Sequence, residues 1–179
     1  MRTFIAIDTS DEVKDYLYDF QKKLRKDYVK VNWVHKKNLH VTLKFIGEAD
    51  GKQIEKAKEV LRQIKFKPFR LRLAGVGFFP SAKAPHVIWI GLKPEGPLIE
   101  LQRKIDEDLL TLFSGEQKFQ SHLTLGRIKA VKKPEEFTKN AKELKVDELE
   151  FEVSSFKLMK SELSTSGPAY TVLEEFKAE

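Results

Sequence analysis

The stretch Asn38-Leu39-His40-Val41-Thr42-Leu43 carries a His-x-Thr motif within apolar and β-branched residues, and Gln120-Ser121-His122-Leu123-Thr124-Leu125 carries the same motif again. In a strand, side chains at positions i and i+2 point to one face, so each histidine is predicted to share a face with its threonine. Two such faces brought together would surround one cavity with two imidazoles and two hydroxyls. One imidazole can remove a proton, the other can donate one, and hydroxyls can bind non-bridging phosphate oxygens. The motifs therefore favour phosphoester chemistry.

The sequence around the motifs also repeats. The offset of 82 residues between His40 and His122 aligns 69–73 with 151–155, and Ile88 with Tyr170. Each motif is preceded by a predicted strand and helix and followed by a predicted helix and strand. We interpret this as an internal duplication, with copies at about 1–80 and 84–176, within a single bilobal domain spanning 1–179. A pseudo-two-fold axis would then place one shared site between two lobes.

Composition excludes several classes of protein. The 179 residues are 41% hydrophobic and include 13 Phe, which is enough for one compact core or two small lobes. The sequence contains no low-complexity linker. The absence of cysteine excludes disulfides, thiolate nucleophiles and Cys-based zinc sites. No apolar run approaches the roughly 20 residues that cross a bilayer, and the N-terminal apolar stretch is too short for a secretory signal. These features predict a cytoplasmic protein without a membrane partner.

The charge balance has two interpretations. A net charge of +6 and a pI near 9.3 favour a polyanionic partner such as RNA, because basic side chains near phosphates release counterions. The alternative is a solvated Lys/Glu surface with a modest basic excess. Arg70, Arg72, Lys36 and Lys37 are candidate contacts to an RNA backbone under the first interpretation, and both remain open.

Hydrophobic periodicity predicts four helices and seven or eight strands. The predicted strands span 3–8, 31–34, 39–46, 69–73, 87–92, 119–128, 149–158 and 169–176, and the predicted helices span 11–28, 52–65, 95–113 and 134–146. Segments 78–85 and 164–168 are predicted loops. Because helices alternate with pairs of strands, we expect an α+β fold with mainly antiparallel sheets and helices on the outer faces.

Four stretches carry a resemblance to a known family. They are 38–47, the stretch Val87-Ile88-Trp89-Ile90-Gly91, 121–127 and Gly167-Pro168-Ala169-Tyr170, in that order along the chain. Together they resemble the 2H phosphoesterase superfamily, and within it the RNA 2′,3′-cyclic phosphodiesterases historically called 2′-5′ RNA ligases. The resemblance implies a bilobal fold with the active site in the cleft, and hydrolysis of a 2′,3′-cyclic phosphate to a 2′-phosphate. It implies neither a metal nor another cofactor.

The resemblance also implies roles for individual residues. His40 corresponds to the general acid that protonates the leaving O3′, and His122 to the base that activates water. Thr42 and Thr124 would bind phosphate oxygens, and Arg127 would clamp the phosphate. The implied partner is RNA, or a nucleotide, with a 2′,3′-cyclic phosphate end, and we expect a monomer.

One further implied role, contact of Phe45 with the substrate nucleoside, conflicts with regular strand geometry. Phe45 and Arg127 each lie five residues after their histidine, an odd offset that places them on the opposite face of a regular strand. Each strand must bulge, bend or end for its residue to reach the cleft. Gly126 favours a bulge in the second copy, whereas Lys44 occupies the equivalent position in the first.

Several alternatives remain. The chain could act on another phosphodiester, such as a 2′,5′-linked oligonucleotide or a small cyclic nucleotide, or catalyse the reverse 2′-5′ ligation. It could also be a non-catalytic RNA-binding or nucleotide-binding module, although the intact histidine pair argues against this. His35 and His86 lack a following threonine and are predicted to be peripheral or structural, and Trp33 and Trp89 are predicted to anchor the core.

Overall fold

The computed structural model describes residues 1–115 and 118–179, which form four α-helices and nine strands. The order along the chain is β1 Arg2–Asp8, α1 Asp11–Leu24, β2 Val29–Trp33, β3 His40–Glu48, α2 Gly51–Leu61, β4 Phe69–Pro80, β5 Pro85–Lys93, α3 Glu95–Asp108, β6 His122–Val131, α4 Pro134–Glu143, β7 Glu150–Val153, β8 Ser155–Ser164 and β9 Gly167–Lys177. One 3₁₀ turn, Lys36–Asn38, leads into β3.

The strands form two antiparallel sheets, one in each lobe. The four-stranded sheet has the order β3-β1-β8-β9, and the five-stranded sheet has the order β2-β6-β5-β4-β7. The first motif strand, β3, is an edge strand and contacts the second motif strand, β6. The predicted α+β, bilobal, mainly antiparallel fold is confirmed, and its two motif strands meet where the sheets adjoin.

Side-chain caps mark where the first two helices begin. Ser10 caps α1 by accepting a hydrogen bond from the backbone N–H of Val13, and Asp50 and Gln53 form a reciprocal capping box at α2. Each helix buries one apolar face against the core. The buried face of α1 comprises Val13, Leu17, Phe20 and Leu24, and that of α2 comprises Ile54, Ala57 and Leu61.

Strands are exchanged between the two halves of the sequence. β8, from the second half, pairs with β1 in the sheet that contains β3. β4, from the first half, pairs with β5 in the sheet that contains β6. A lobe is therefore built from both halves, and neither half holds a complete sheet.

The predicted strand 149–158 is wrong, because it is two strands. β7 pairs with β4 in one sheet, whereas β8 pairs with β1 in the other, and the chain passes between sheets at Ser154. The buried residues show where the strand is divided: Phe151 and Val153 are at odd positions, whereas Phe156 and Leu158 are at even positions. This one-residue shift in the apolar alternation is the feature of the sequence that could have predicted two strands.

The predicted loop 78–85 is wrong at both ends, and only 81–84 lie between strands. β4 continues to Pro80, and pairs Val76 with Ile90 and Phe79 with Val87, so β4 and β5 form a hairpin with a short turn. Gly75 and Gly77 lie within β4 and interrupt the alternation of side chains that predicts a strand. At Gly77, an added Cβ would lie 2.2 Å from the indole of Trp89.

Other boundaries shift by several residues. α1 ends at Leu24 rather than near 28, because the chain turns into β2, which pairs with β6. α2, α3 and α4 end three to five residues before their predicted ends. β6 begins at His122 rather than at 119. Within the described residues, no helix is long and apolar enough to span a membrane.

Candidate active site

The His-x-Thr motifs present the same pattern of burial in both copies. In β3, His40 and Thr42 are half-buried, while the residues that alternate with them are buried. In β6, His122 and Thr124 show this pattern again. Each histidine thus shares a face with its threonine, and that face lies away from the apolar core.

A main-chain carbonyl orients each imidazole. His40 Nδ1 lies 2.5 Å from the carbonyl oxygen of Asn38, and His122 Nδ1 lies 2.8 Å from that of Gln120. Because a carbonyl only accepts hydrogen bonds, Nδ1 donates in both rings and carries a proton. Nε2 is therefore the nitrogen that gains and loses a proton in each histidine. His40 Nε2 lies 2.8 Å from Thr42 Oγ1.

The two imidazoles lie within electrostatic range of each other. Burial lowers the pKa of His40 most, the nearby charges of Lys14 and His122 lower it further, and the Asn38 carbonyl and the charge of Asp8 oppose this. Asp8 is the register partner of His40 on the neighbouring strand. Both structure and electrostatics therefore place the first histidine beside a carboxylate.

The second histidine has a different neighbour. Burial again lowers the pKa of His122 most, and the guanidinium of Arg127 lowers it further, against the opposing hydrogen bond to the Gln120 carbonyl. The pair thus combines one imidazole that faces a carboxylate with one that faces a cation.

A β-bulge follows each motif at the same position. Ala6 pairs with Thr42 and Ile5 pairs with Lys44, so Leu43 is the extra residue of β3. On the other sheet, Trp89 pairs with Thr124 and Ile88 pairs with Gly126, so Leu125 is the extra residue of β6. Each bulge lies three residues after its histidine and reverses the facing of the residues beyond it.

The bulges bring Phe45 and Arg127 to the face of the histidines. Phe45 is exposed, as is Arg127, whereas the residue before each of them is buried. Phe45 lies beside Phe4, with ring centroids 6.5 Å apart. A bulge does not need glycine, because the first copy forms it with Lys44.

Lys44 and Gly126 occupy equivalent positions in the two copies, but the neighbouring residues that they contact differ. Lys44 is 1% exposed, and its Nζ donates to Asp106 Oδ1 at 2.6 Å and to the carbonyl oxygen of Ser114 at 2.6 Å. At Gly126, an added Cβ would lie 2.6 Å from Val31 Cγ1 on β2. A fully buried lysine carries no signal in the sequence, because lysine is the residue type that is most often exposed.

Arg127 places a positive charge near His122 and Tyr170. Its charge lowers the pKa of His122. Burial raises the pKa of the Tyr170 hydroxyl, and the charge of Arg127 opposes that rise. Among the residues that the structure describes, none forms an ion pair with Arg127. The carbonyl of the bulged residue Leu125 accepts hydrogen bonds from the Gln21 side chain and the Val34 N–H, both at 2.9 Å, which fixes the bulge that directs Arg127.

Aromatic rings surround both histidines, and sequence reasoning missed most of them. Phe4 and Tyr170 lie 5.2 and 5.5 Å from the His40 ring. Phe79 and Trp89 lie 4.9 and 5.9 Å from the His122 ring. The prediction that Trp89 anchors the core is wrong, since it is half-buried beside the motif histidine.

The other predicted candidates lie outside this cluster. His35 Nε2 lies 2.6 Å from the carbonyl oxygen of Ser166, where it holds the β8–β9 turn, and His86 is exposed. Arg70 is ion-paired with Glu150, and Lys36 with Asp15. Within 1–115 and 118–179, no group of three or more His, Cys, Asp or Glu side chains could hold a metal ion.

The family model for LigT-like phosphoesterases matches the chain twice, over residues 7–89 and 90–170. The chain therefore belongs to the LigT-like phosphoesterase family, the 2H phosphoesterases, and the prediction of a phosphoesterase enzyme is confirmed. Each match contains one His-x-Thr motif.

Named relatives cover the whole chain. The RNA 2′,3′-cyclic phosphodiesterase of Methanocaldococcus jannaschii is 37% identical over 98% of this chain and all of its own length. The one from Thermotoga maritima is 36% identical over all of this chain and 96% of its own. A solved Thermus thermophilus structure superimposes with a TM-score of 0.79 at 30% identity, covering 99% of this chain and 97% of that one. Escherichia coli LigT, solved with 3′-AMP, has the same fold at 23% identity, with a TM-score of 0.80 and the same coverage.

Proposed function

We propose that this protein hydrolyses the 2′,3′-cyclic phosphate ends of RNA to 2′-phosphates, with His40 as general acid, His122 as general base and no metal ion. The observation that carries the proposal is the matched pair of imidazoles. Each ring has Nδ1 held by a carbonyl and Nε2 left to exchange a proton, and the charge of Arg127, which has no ion-pair partner among the described residues, acts on His122. The names of the full-length relatives supply the substrate class.

The reaction needs one proton removed and one proton donated. His122 Nε2, when neutral, accepts a proton from water as the water oxygen forms a bond to phosphorus. The phosphorus–O3′ bond breaks on the opposite side, and protonated His40 donates its Nε2 proton to O3′. The product keeps the phosphate on O2′, and the two histidines exchange protonation states before the next turnover.

Hydroxyl groups and a guanidinium stabilise the charge that develops on phosphate. Thr42 and Thr124 are assigned to the non-bridging oxygens, because each lies on the face of its histidine. Arg127 offers two parallel N–H donors to the same oxygens, and such donors stabilise the transition state more than the ground state. Phe45 is assigned to the substrate nucleoside.

The surroundings of the two histidines support this division of roles. Burial lowers the pKa of His40, and the carboxylate of Asp8 opposes this shift and so retains more of the protonated form that an acid needs. The guanidinium of Arg127 lowers the pKa of His122 and so favours the neutral form that a base needs. The remaining parts of the proposal are a single-domain monomer that acts on RNA in the cytoplasm.

The direct test uses RNA that ends in a 2′,3′-cyclic phosphate, with EDTA present. We expect ring opening at an unchanged rate and a product with phosphate on O2′, identified by phosphorus NMR. Loss of activity with EDTA that a divalent cation restores would refute the metal-independent mechanism. A 3′-phosphate product would refute the assignment of O3′ as leaving group, and faster cleavage of a 2′,5′-linked dinucleotide would favour the alternative substrate.

A second experiment separates the acid from the base. His40→Ala and His122→Ala should each lose about 10²–10⁴-fold in rate while remaining folded, because each removes one positioned proton-transfer group. A substrate whose leaving oxygen needs no protonation, such as a nitrophenyl phosphodiester, should partly rescue only the His40 variant. Rescue of His122→Ala alone would reverse the two roles.

A further inference from the structure

Each carbonyl that accepts a hydrogen bond from a site histidine lies beside a buried polar side chain. In the first copy the carbonyl belongs to Asn38, and in the second copy it belongs to Gln120. A peptide plane includes the Cα atoms of both residues that it joins, so a contact that fixes either residue also restricts the direction of the carbonyl. The two copies use different residues for this contact.

In the first copy, the buried polar side chain is that of Asn38 itself, which is 6% exposed. Its Nδ2 donates to the carbonyl oxygen of Pro168 at 3.0 Å, and its backbone N–H donates to the carbonyl oxygen of His35 at 2.8 Å. Asn38 is therefore fixed by two contacts besides the one that its carbonyl makes to His40. Because Pro168 lies on β9, the side-chain contact ties the turn before β3 to the opposite edge strand of the four-stranded sheet.

In the second copy, the buried polar side chain lies one residue further along the chain. Position 120, which is equivalent to 38, holds an exposed glutamine, whereas Ser121, at the position equivalent to Leu39, is 7% exposed. Ser121 Oγ donates to the carbonyl oxygen of Leu92 on β5 at 2.9 Å. Because Ser121 shares the peptide plane of the Gln120 carbonyl, this hydrogen bond restricts the acceptor of His122.

We propose that Asn38 and Ser121 are positioning residues, which hold the acceptor carbonyls of the acid and of the base through contacts to different strands. The two contacts are separate, because one ends on β9 in the four-stranded sheet and the other on β5 in the five-stranded sheet. The roles of acid and base rest on the proposed function, whereas the positioning of each ring does not. Neither an amide nor a serine hydroxyl titrates where histidine does, so both contacts persist while the imidazoles change charge.

A displaced carbonyl should change its histidine in two measurable ways. Nδ1 loses its acceptor, so the neutral ring is no longer held as one tautomer and its proton is free to move to Nε2. The carbonyl also opposes the effect of burial on the pKa of each ring, so its loss should lower that pKa further. A base with a proton on Nε2 cannot accept another, and an acid with a lower pKa is less often protonated.

The test follows the imidazole nitrogens by nitrogen-15 NMR, which can separate the rings because the chain has four histidines. Asn38→Ala should give a mixture of tautomers at His40 and lower its pKa, with little change at His122. Ser121→Ala should have the same two effects at His122, with little change at His40. Each variant should also lower kcat by about 10- to 10²-fold, because a catalytic group displaced by about 1 Å transfers a proton slowly.

The matched control is His35→Ala, at an exposed residue next to Asn38 in space. His35 Nε2 donates to the carbonyl oxygen of Ser166, so this variant removes another contact to the β8–β9 hairpin and leaves the Asn38 side chain in place. It should keep the wild-type tautomer and pKa of His40, and the wild-type kcat. A change at His40 as large as that in Asn38→Ala would overturn the proposal, because the hairpin as a whole would then hold the ring.

A second variant protects the test against misfolding, since Asn38 is buried. Asn38→Leu removes the donor while it keeps a side chain of similar size, and it should give the same mixture of tautomers at His40. An unchanged His40 in the folded Asn38 variants, or an unchanged His122 in Ser121→Ala, would overturn the proposal. Equal changes in both rings in either variant would mean a general loosening of the fold and would overturn it as well.

The NMR measurement does not depend on turnover, which separates this proposal from the proposed function. A protein that shows the expected changes in each ring but does not hydrolyse the cyclic phosphate supports the positioning roles and contradicts only the catalytic proposal. A protein that hydrolyses it with unchanged rings in all the variants supports the catalytic proposal and contradicts the positioning roles.

Discussion

The main chain holds Nδ1 of each site histidine. The carbonyls of Asn38 and Gln120 hold Nδ1 of His40 and His122, so the same tautomer is set in both copies. A carbonyl does not titrate, and it stabilises an imidazolium less than a carboxylate does. The tautomer therefore stays fixed over a wide pH range, while burial decides the proton affinity of Nε2.

The first prediction concerns pH. Burial is the largest cause that lowers the pKa of His40 and of His122 below the usual value of 6.5. The base must be neutral and the acid protonated, so kcat/KM should follow a bell whose maximum lies below about pH 6.5. Steady-state rates across the acid and neutral range measure this profile.

The variant Asp8→Asn tests the assignment of the acid. Removing the carboxylate lowers the pKa of His40 further, so the alkaline limb of the bell should move to lower pH. An unchanged alkaline limb would mean that another group, and not His40, donates the proton.

The second prediction concerns Arg127. Arg127→Lys should reduce kcat by about 10²-fold or more, because an ammonium cannot present two parallel donors to the phosphate oxygens. The matched control is Arg70→Lys, which changes an arginine that is ion-paired with Glu150 on the surface. Turnover of Arg127→Lys close to that of the control would place Arg127 outside the site.

At the scale of the element, the paired bulges decide which side chains reach the cleft. A regular strand would turn Phe45 and Arg127 away from the histidines, and Leu43 and Leu125 shift the phase. The sequence predicted that each strand must bulge, bend or end for these residues to reach the cleft, but it did not indicate how a bulge is held. The second bulge is held by Gln21, a buried residue of α1 that is 104 positions away from Leu125.

The third prediction tests that contact. Gln21→Leu should destabilise the protein by about 1–3 kcal/mol, because the partly buried carbonyl of Val34 loses the Gln21 donor and the buried carbonyl of Leu125 keeps only the Val34 N–H. It should also lower kcat, by up to about 10²-fold if Arg127 shifts by 1 Å. Denaturation and turnover are measured together, at a temperature where the variant is folded.

Gln102→Leu is the matched control for Gln21→Leu. Gln102 is a buried glutamine of α3 whose Nε2 has no hydrogen-bond partner among the described residues. Its replacement should leave turnover unchanged. If Gln21→Leu loses stability but keeps the wild-type kcat, then Gln21 holds the fold and does not position Arg127.

At the scale of the whole molecule, the exchanged strands make the two sequence halves interdependent. Without the second half, β1 and β3 lack β8, and without the first half, β5 and β6 lack β4. The ion pair of buried Lys44 with partly buried Asp106 also joins β3 to α3 across the halves. The duplicated sequence therefore does not correspond to two independent folding units.

The fourth prediction follows from this topology. Fragments 1–82 and 83–179 should each lack stable tertiary structure when expressed alone, because each leaves strands unpaired and an apolar face uncovered. Mixed together, they should assemble. Amide dispersion in NMR spectra reports folding of each fragment and of the mixture, and cooperative thermal unfolding of either fragment alone would contradict the prediction.

The sequence by itself determined the features that depend on local pattern. The face shared by His40 and Thr42, the equivalent face in the second copy, the apolar stripes of the helices and the α+β class all follow from residue spacing. The spacing of apolar residues that predicts a strand or a helix is a local property of the sequence, and it does not depend on which distant segments pack alongside. The odd spacing of Phe45 and Arg127 from their histidines likewise predicted that each strand must bulge, bend or end if these residues are to reach the cleft.

Only the tertiary structure decided the features that depend on pairing between distant segments. The crossing from β7 to β8, the burial of Lys44, the support of Leu125 by Gln21 and a cavity beside His40 all arise from such pairing. Neither hydrogen-bond partners nor neighbouring volume are encoded in the spacing of one segment, because they depend on which strand or helix packs alongside. The two motifs are thus similar in sequence, while packing leaves a cavity beside His40 and places Phe79 and Trp89 against His122.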